Sequence, residues 1–549
     1  MAGERLGRVS LQMALGTTVA RLTGYFRSIL LVAALGSALH ADLFSIANTV
    51  PSMLVVLLGA GIFNAVLVPQ IVRADREGRG TEYLNQVITL FALVLLVATI
   101  AITAAAPIVL RLFLSGDLNQ PNLTAQHDSA IAFAYFCLPQ VFFYGIYALI
   151  GQILNARGVF GPMMWSPVLN NVVSIAVLAV YLTSYGPNAN GCNGYDAAQE
   201  RLLGLGMTAG VAVQCVALLP LLGRVGIRYR PTLQLMSPRV RSTLRLGAWT
   251  IAVVLVNQAA YTVVVRLASA GTAGGGACGA SPSGTGYTVY SSAYLLIMAP
   301  HAVVTVSLMT ARLPTLARLG AAGLRTKLGS ELGASLRLAM TFIVPGIALL
   351  ELLSGVIANL AFGYGAGARS SQRFVPTLAC FGIALFFFTA HYVALRGLYA
   401  LEDNRAVMGI QSLIAVVNVS AAVVGVHAAT SASTAPALAA AYGVAYAAGS
   451  VTSWSLLRSR LGTIDGKRTV ATLALLIAAA GLATLGCVAL SRVAGAWLVV
   501  DPASKPEALA VAGTTSLVFV MVFLLAGWWT GVAEVRDLCA AAWRRIRPA

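Results

Sequence analysis

The sequence predicts an all-α polytopic membrane protein, and three observations carry that reading. Of 549 residues, 58% are hydrophobic and only 10% charged, with a mean hydropathy of +0.83, whereas soluble domains are about one quarter charged. Apolar runs of roughly twenty residues, the length a helix needs to cross a bilayer, follow one another with short polar connections. The net charge of +18 is spread over those connections rather than gathered on one patch. That distribution fits membrane-flanking loops and argues against a nucleic-acid partner.

The required span length predicts about fourteen transmembrane helices. Leu11 to Leu35 follows Arg5 and Arg8, and Ala41 to Val72 ends before Arg73, Arg76 and Arg79. Tyr83 to Phe113 and Ala130 to Ala156 bring the chain to Arg157. Met163 to Thr183 leads into an Asn/Gly-rich loop, Gly186 to Gln199, and Leu203 to Leu222 returns to Arg224, Arg228, Arg230, Arg239 and Arg241. Leu244 to Ala268 precedes a Gly/Ser-rich loop, Gly271 to Gly286, and Val289 to Leu316 ends before Arg318, Arg325 and Lys327. Ala334 to Phe362 and Phe374 to Leu401 lead to Arg405. Val407 to Ala429 and Pro436 to Leu457 lead to Arg458, Arg460, Lys467 and Arg468. Val470 to Val493 and Ala508 to Val532 close the series before Arg536, Arg544, Arg545 and Arg547.

Cations therefore alternate from side to side, with few on the second face beyond Arg201, Arg369, Arg373 and Lys505. Because Lys and Arg are enriched in short cytoplasmic loops, both termini are expected in the cytoplasm. The first span is read as retained, since it carries Arg21 and Arg27 and shows no small-residue cleavage site. Cys137, Cys215, Cys380 and Cys487 fall within spans and read as small buried hydrophobes, and Cys539 follows the last span. Cys192 and Cys278 fall in the two outer loops, where either a disulfide or two free thiols is compatible with the compartment.

A weak repeat relates Tyr147 to Arg157 with Tyr392 to Arg405, and the proline pair Pro51 and Pro69 with Pro300 and Pro314. Six spans separate the members, which implies two six-helix lobes, 1–230 and 231–462, and a 463–549 segment with two more helices and a short cytoplasmic tail. Such repeats are how alternating-access transporters are built.

Ionisable groups inside spans are the informative residues, because each costs a few kcal/mol to insert and persists mainly beside a cavity or partner. Arg21 lies about 15 Å along the first span, near mid-membrane, and Arg27 lies about 9 Å further and about 120° around the helix. The two can line a wide cavity or pack internally. Arg266 lies near the outer end of the seventh span, and Arg312 and Arg396 lie near cytoplasmic ends, where long cations snorkel. Asp42 opens the second span, where an acid also serves as a helix cap. His301 and His391 read as buried hydrogen-bonded core groups more readily than as proton carriers, and Glu351 as paired or protonated. A cationic site at membrane depth suits an anion, and arginine in particular suits phosphate. No P-loop, clustered metal ligands or Ser-His-Asp arrangement competes, so no enzyme, metal or cofactor is expected.

Several stretches carry a family resemblance. They are Ala20-Arg-Leu-Thr-Gly-Tyr-Phe-Arg27, Ala41-Asp-Leu-Phe with Val50-Pro-Ser, Gly59-Ala-Gly-Ile-Phe-Asn-Ala-Val-Leu-Val-Pro69, Gly151-Gln-Ile-Leu-Asn-Ala-Arg-Gly158, Ser166-Pro-Val-Leu-Asn-Asn171, and Met298-Ala-Pro-His-Ala-Val-Val-Thr-Val-Ser-Leu-Met-Thr310. Over nearly the whole chain the sequence resembles the MurJ/MviN family of lipid II flippases, in the multidrug/oligosaccharidyl-lipid/polysaccharide exporter superfamily, with an actinobacterial-like last stretch. The resemblance implies a bacterial cytoplasmic membrane protein of peptidoglycan synthesis, with a two-lobed bundle and a central cavity. That cavity would carry the undecaprenyl-pyrophosphate-linked precursor lipid II outward. It implies substrate-binding roles for Arg21, Arg27 and Asp42, and a lipid-tail groove from Val470 onward.

This sequence departs from the family where Ser28 replaces a frequent Asp, Val55 and Val56 replace arginines, and Leu295 replaces an arginine of the eighth span. Arg266 is expected to supply part of that last missing charge. For the sodium coupling described in some members, the seventh and eleventh spans offer Asn257 and Asn418 but no carboxylate, which leaves a monovalent cation or the membrane potential as the driving force. Membrane lipids and cell-wall synthesis or division proteins are expected partners. Export of another polyprenyl-linked glycan and a non-transporting cell-wall scaffold stand as alternative functions.

Overall fold

A computed structural model describes residues 2–57, 71, 80–188, 193–232, 238–273, 284–493 and 504–546, with backbone alone for 2–11, 14, 238–253, 493 and 541–546. All regular structure among the described residues is helical. By contacts the chain divides into one unit of residues 1–288 with 365–367 and a second of 289–364 with 368–549.

The first unit contains α1 (Ala2–Leu35), α2 (Leu39–Val55), α3 (Gly80–Ala104), α4 (Ala106–Phe113), α5 (Thr124–Cys137), α6 (Gln140–Ala156), α7 (Gly161–Tyr185), α8 (Ala197–Val216), α9 (Leu219–Arg224) and α10 (Pro238–Ala273). Three predicted spans are broken within this unit. α3 stops before Pro107, α5 and α6 are separated at Leu138-Pro139, and α9 begins at Leu219-Pro220. Proline lacks the amide that an unbroken helix needs, but it fits a first turn. α7 packs along both α1 and α8, and α5 packs on α2 and α8. Phe44, Phe133 and Tyr195 meet edge to face in the resulting core, and Tyr195 Oη donates to the His40 carbonyl at 2.6 Å.

The division differs from the lobes expected from sequence, because α10 packs on α2 and α4 of the first unit. Gln258 Nε2 donates to the Met53 carbonyl at 2.8 Å, which ties the seventh span to the second. The last two spans are likewise part of the second unit rather than a separate segment.

The second unit contains α11 (Tyr287–Pro300, from Val289), α12 (Ser307–Ala321), α13 (Arg325–Leu352), α14 (Ser354–Phe362), α15 (Val375–Ala400), α16 (Asn404–Ala428), α17 (Thr434–Leu461), α18 (Gly466–Val493), α19 (Lys505–Trp529) and α20 (Ala533–Ile546). Past Pro300 the backbone runs through a wider π-helical turn, His301–Val306, before α12 resumes. A proline in an otherwise continuous helix is a recognised cause of such a local break. α17 packs on α15 and α16, and α18 packs on α13 and α19. α17 ends at Gly462, whose φ of +78° is a backbone state that side-chain-bearing residues rarely adopt. At the start of α19, the Ser504 amide and hydroxyl exchange hydrogen bonds with Glu507, closing a capping box.

Among the described residues eleven helices are long and apolar enough to cross a membrane. The second and seventh predicted spans include residues outside the described side chains or backbone. α17 is a 28-residue helix whose Ala, Gly, Ser and Tyr content makes it less apolar than those eleven. Outward faces are greasy: Val424 on α16 is 70% exposed and Leu517 on α19 is 73% exposed. In water such surface would drive association, whereas hydrocarbon solvates it.

Candidate functional site

The arginines of the first span stand on α1, where α7 packs against it. Arg21 is exposed and Arg27 half-buried. Arg21 lies close to Tyr25 one turn on, and Arg27 lies within electrostatic range of Tyr144 on α6. Among the described residues neither guanidinium has a carboxylate within ion-pair distance. Asn171 on α7 donates to the Ala20 carbonyl at 2.9 Å and to Thr23 Oγ1 at 3.0 Å, which straps α7 to the turn bearing Arg21. Its neighbour Asn170 accepts from Ser174 Oγ and lies within hydrogen-bonding range of Tyr144.

The seam therefore offers two permanent cations with adjacent hydroxyl and amide groups, a donor set suited to a phosphate anion and its polar substituents. Sequence reasoning singled out the arginines but missed Tyr144, Asn170 and Asn171. The Asn-Asn pair facing a helix that bears two arginines was the available signal. Ser28, half-buried beside Arg27 in sequence, brings no charge to the seam.

Asp42 is placed differently from the expectation. It is 1% exposed, and its carboxylate accepts from Thr272 Oγ1 at 2.6 Å, the Tyr287 amide at 3.0 Å and the Thr288 amide at 2.7 Å. Those amides open α11, so the acid caps that helix rather than its own. The approach depends on Gly286, since a Cβ there would lie 1.9 Å from Asp42 Oδ2. In this conformation both Asp42 carboxylate oxygens accept from protein donors, an arrangement that ties α2 to the start of α11.

Arg266 is exposed, and its Nη1 donates to the Arg111 carbonyl at 2.9 Å at the end of α4. That bond ties the seventh span to the end of α4 within the first unit. Asn257 is half-buried on α10 of the first unit, and Asn418 lies on α16 of the second with a buried Oδ1 that no donor reaches among the described residues. Cys192, Cys278 and the Gly59–Pro69 stretch lie outside the described residues.

Four other groups that the sequence places within or beside spans have protein partners. His301 pairs with Thr389 Oγ1 at 3.0 Å and His391 with Ser453 Oγ at 2.9 Å. Arg312 pairs with Glu331, and Arg396 lies over the Tyr392 ring at 4.5 Å, so both are held by neighbours rather than simply extended to water. Sequence reasoning missed Arg337. That residue is 4% exposed and joins Glu534 of α20 at 2.6 Å and Thr469 Oγ1 at 3.2 Å. No group of three or more metal-ligating side chains occurs among the described residues.

A chain of many apolar helices, eleven of them among the described residues long enough to cross a bilayer, defines a polytopic membrane protein. The family model described as "Lipid II flippase MurJ" matches residues 31–504, and the chain belongs to that family, whose members are transporters and not enzymes. The match begins beyond Arg21 and Arg27. A probable lipid II flippase MurJ of Rhizobium meliloti is 27% identical over 74% of this chain and 72% of its own length. The Synechocystis counterpart is 23% identical over 74% and 73%. A solved lipid II flippase MurJ in an inward closed conformation shares the fold, with a TM-score of 0.72 at 16% identity over 96% of this chain and all of its own. An inward-facing multidrug resistance MATE transporter of the MOP superfamily also shares it, with a TM-score of 0.61 at 18% identity over 84% and 98%.

Proposed function

We propose that this chain moves lipid II from the inner to the outer leaflet of the bacterial cytoplasmic membrane by alternating access, with both termini in the cytoplasm. Arg21 and Arg27 engage the pyrophosphate, and Tyr144 and Asn170 contribute neighbouring polar contacts. The observation that carries this reading is a pair of guanidiniums on an apolar helix with no carboxylate within ion-pair distance among the described residues. A permanent cation at membrane depth costs a few kcal/mol, which an anionic cargo offsets by pairing with it. Forked guanidiniums match phosphate oxygens bidentately, so binding requires no metal and transport requires no covalent step. The membrane potential acts on the same headgroup, at about 2.3 kcal/mol per charge per 100 mV, and with the inside negative it favours outward movement of an anion.

The test is complementation of a lipid II flippase depletion strain by wild type and by Arg21→Ala, with surface lipid II quantified at matched protein level. Rescue by wild type alone supports the proposal. Failure of wild type with either readout points to another polyprenyl-linked glycan or to a scaffold. Full activity of Arg21→Ala removes that arginine from the mechanism.

A further inference from the structure

A second cationic cavity lies at the other end of the first unit's helices, away from Arg157, Arg228 and Arg230. It measures about 350 Å³ and is lined by Arg111, Arg266, His127 and Asn119 together with apolar residues of α4 and its following turn, including Leu110 and Leu112. The charge distribution assigns this end to the outside.

The cavity is built by interlocked bonds between α4 and α10. Arg266 Nη1 donates to the Arg111 carbonyl, one of the last carbonyls of α4, which lacks a partner within its own helix. The Ser115 amide donates to Ser269 Oγ at 2.7 Å, and that hydroxyl donates to the Arg266 carbonyl at 2.7 Å. Two guanidiniums are thereby held on one cavity although like charges repel. The nearby acids are engaged elsewhere: Asp117 accepts from Ser115 Oγ at 2.6 Å, and Asp128 lies 3.8 Å from His127 Nδ1. Among the described residues, neither acid is within ion-pair distance of Arg111 or Arg266. On the same short helix Ile108 is 66% exposed and Leu112 57%, so an apolar surface borders the charged one.

We propose that this cavity binds the phosphate group of an anionic lipid headgroup in the outer leaflet, with the acyl or prenyl chain lying along Ile108 and Leu112. Forked donors from Arg111 and Arg266 recognise the phosphate oxygens. Asn119 adds a polar contact at the rim. The inference does not depend on lipid II being the cargo. A membrane phospholipid and a polyprenyl phosphate both offer this chemistry.

The test uses the full chain in phosphatidylcholine nanodiscs doped with phosphatidylglycerol or with undecaprenyl phosphate, and counts retained lipid by native mass spectrometry. Wild type is expected to retain an anionic lipid over phosphatidylcholine. Arg111→Gln and Arg266→Gln are each expected to lower that retention about tenfold, the loss appropriate to a hydrogen bond to a charged group. Selective retention of phosphatidylglycerol identifies a phospholipid as the source, and of undecaprenyl phosphate a polyprenyl carrier. Wild type that shows no preference for anionic lipid, or a double variant that retains as much as wild type, overturns the proposal. Hydrogen exchange on wild type alone covers the case of a variant that fails to fold. Amides of residues 111–119 should exchange more slowly when the retained anionic lipid is added, and unchanged exchange overturns the site.

Discussion

Replacing Asp42 by alanine leaves three donors without their acceptor: the Thr272 hydroxyl and the first two amides of α11. Each buried donor left unpaired costs about 1–3 kcal/mol, and loss of a helix cap alone costs about 0.5–2 kcal/mol. Taking the low end for each donor, since water entering the vacated space pairs some of them, the expected destabilisation is about 3 kcal/mol. Asp42→Asn keeps the shape and one acceptor oxygen but turns an amide toward donors, so about half that loss is expected. The assay is thermal unfolding of both variants and wild type in one nanodisc lipid, combined with complementation at low and normal growth temperature. An anchoring Asp42 gives lower melting temperatures in the order wild type, Asn, Ala, and function that returns in the cold. Variants that melt like wild type yet fail to transport at every temperature would refute the anchoring role and return Asp42 to the substrate.

Other substitutions separate packing from cargo recognition. Arg27→Ala should abolish surface lipid II while leaving the melting temperature near that of wild type, since no carboxylate pairs with it among the described residues; a large loss of stability would make it a packing residue. Glu534→Ala strands the buried Arg337 guanidinium and should cost about 3–5 kcal/mol by thermal unfolding, the usual penalty for breaking a buried pair. Gly286→Ala places a carbon 1.9 Å from Asp42 Oδ2 and should destabilise at least as much as Asp42→Asn; an unchanged melting temperature would show that the turn relaxes freely. Asn171→Ala removes two bonds that strap α7 to α1 and should cost about 1–2 kcal/mol, with transport reduced rather than abolished.

The helical class was legible in the sequence because a membrane span is a local property, set by about twenty residues of composition. The breaks at Pro107, Pro139 and Pro220 were equally local but were absorbed into longer apolar runs. Arg21 and Arg27 were legible because a charge within such a run is conspicuous on its own. Partners far along the chain were not. Asp42 meets donors 230 to 246 positions away, and Arg337 meets its acid 197 positions away. From sequence alone Asp42 looked like the cap of its own helix, whereas the amides it serves open α11. The unit boundary was hidden for the same reason, since Gln258 and Arg266 declare the affiliation of α10 only through the backbone carbonyls of Met53 and Arg111.

The placement of Asp42 also bears on the electrostatics of the first span. With Ser28 in place of an acid, Arg27 has no charged neighbour next to it in sequence, and Asp42 was the available carboxylate to compensate in space. That carboxylate is instead buried against Thr272, Tyr287 and Thr288, with its oxygens already accepting from uncharged donors. Asn170 and Asn171 supply dipoles to the seam but no charge, so among the described residues no carboxylate offsets the two guanidiniums there. A positive field concentrates anions at a site and strengthens where water is excluded. In the proposed transport cycle the headgroup is then the counter-charge that the described residues do not supply. Cargo binding lowers the cost of keeping Arg21 and Arg27 at membrane depth, and release restores it. That difference is the free-energy lever by which a loaded and an empty transporter can favour different conformations.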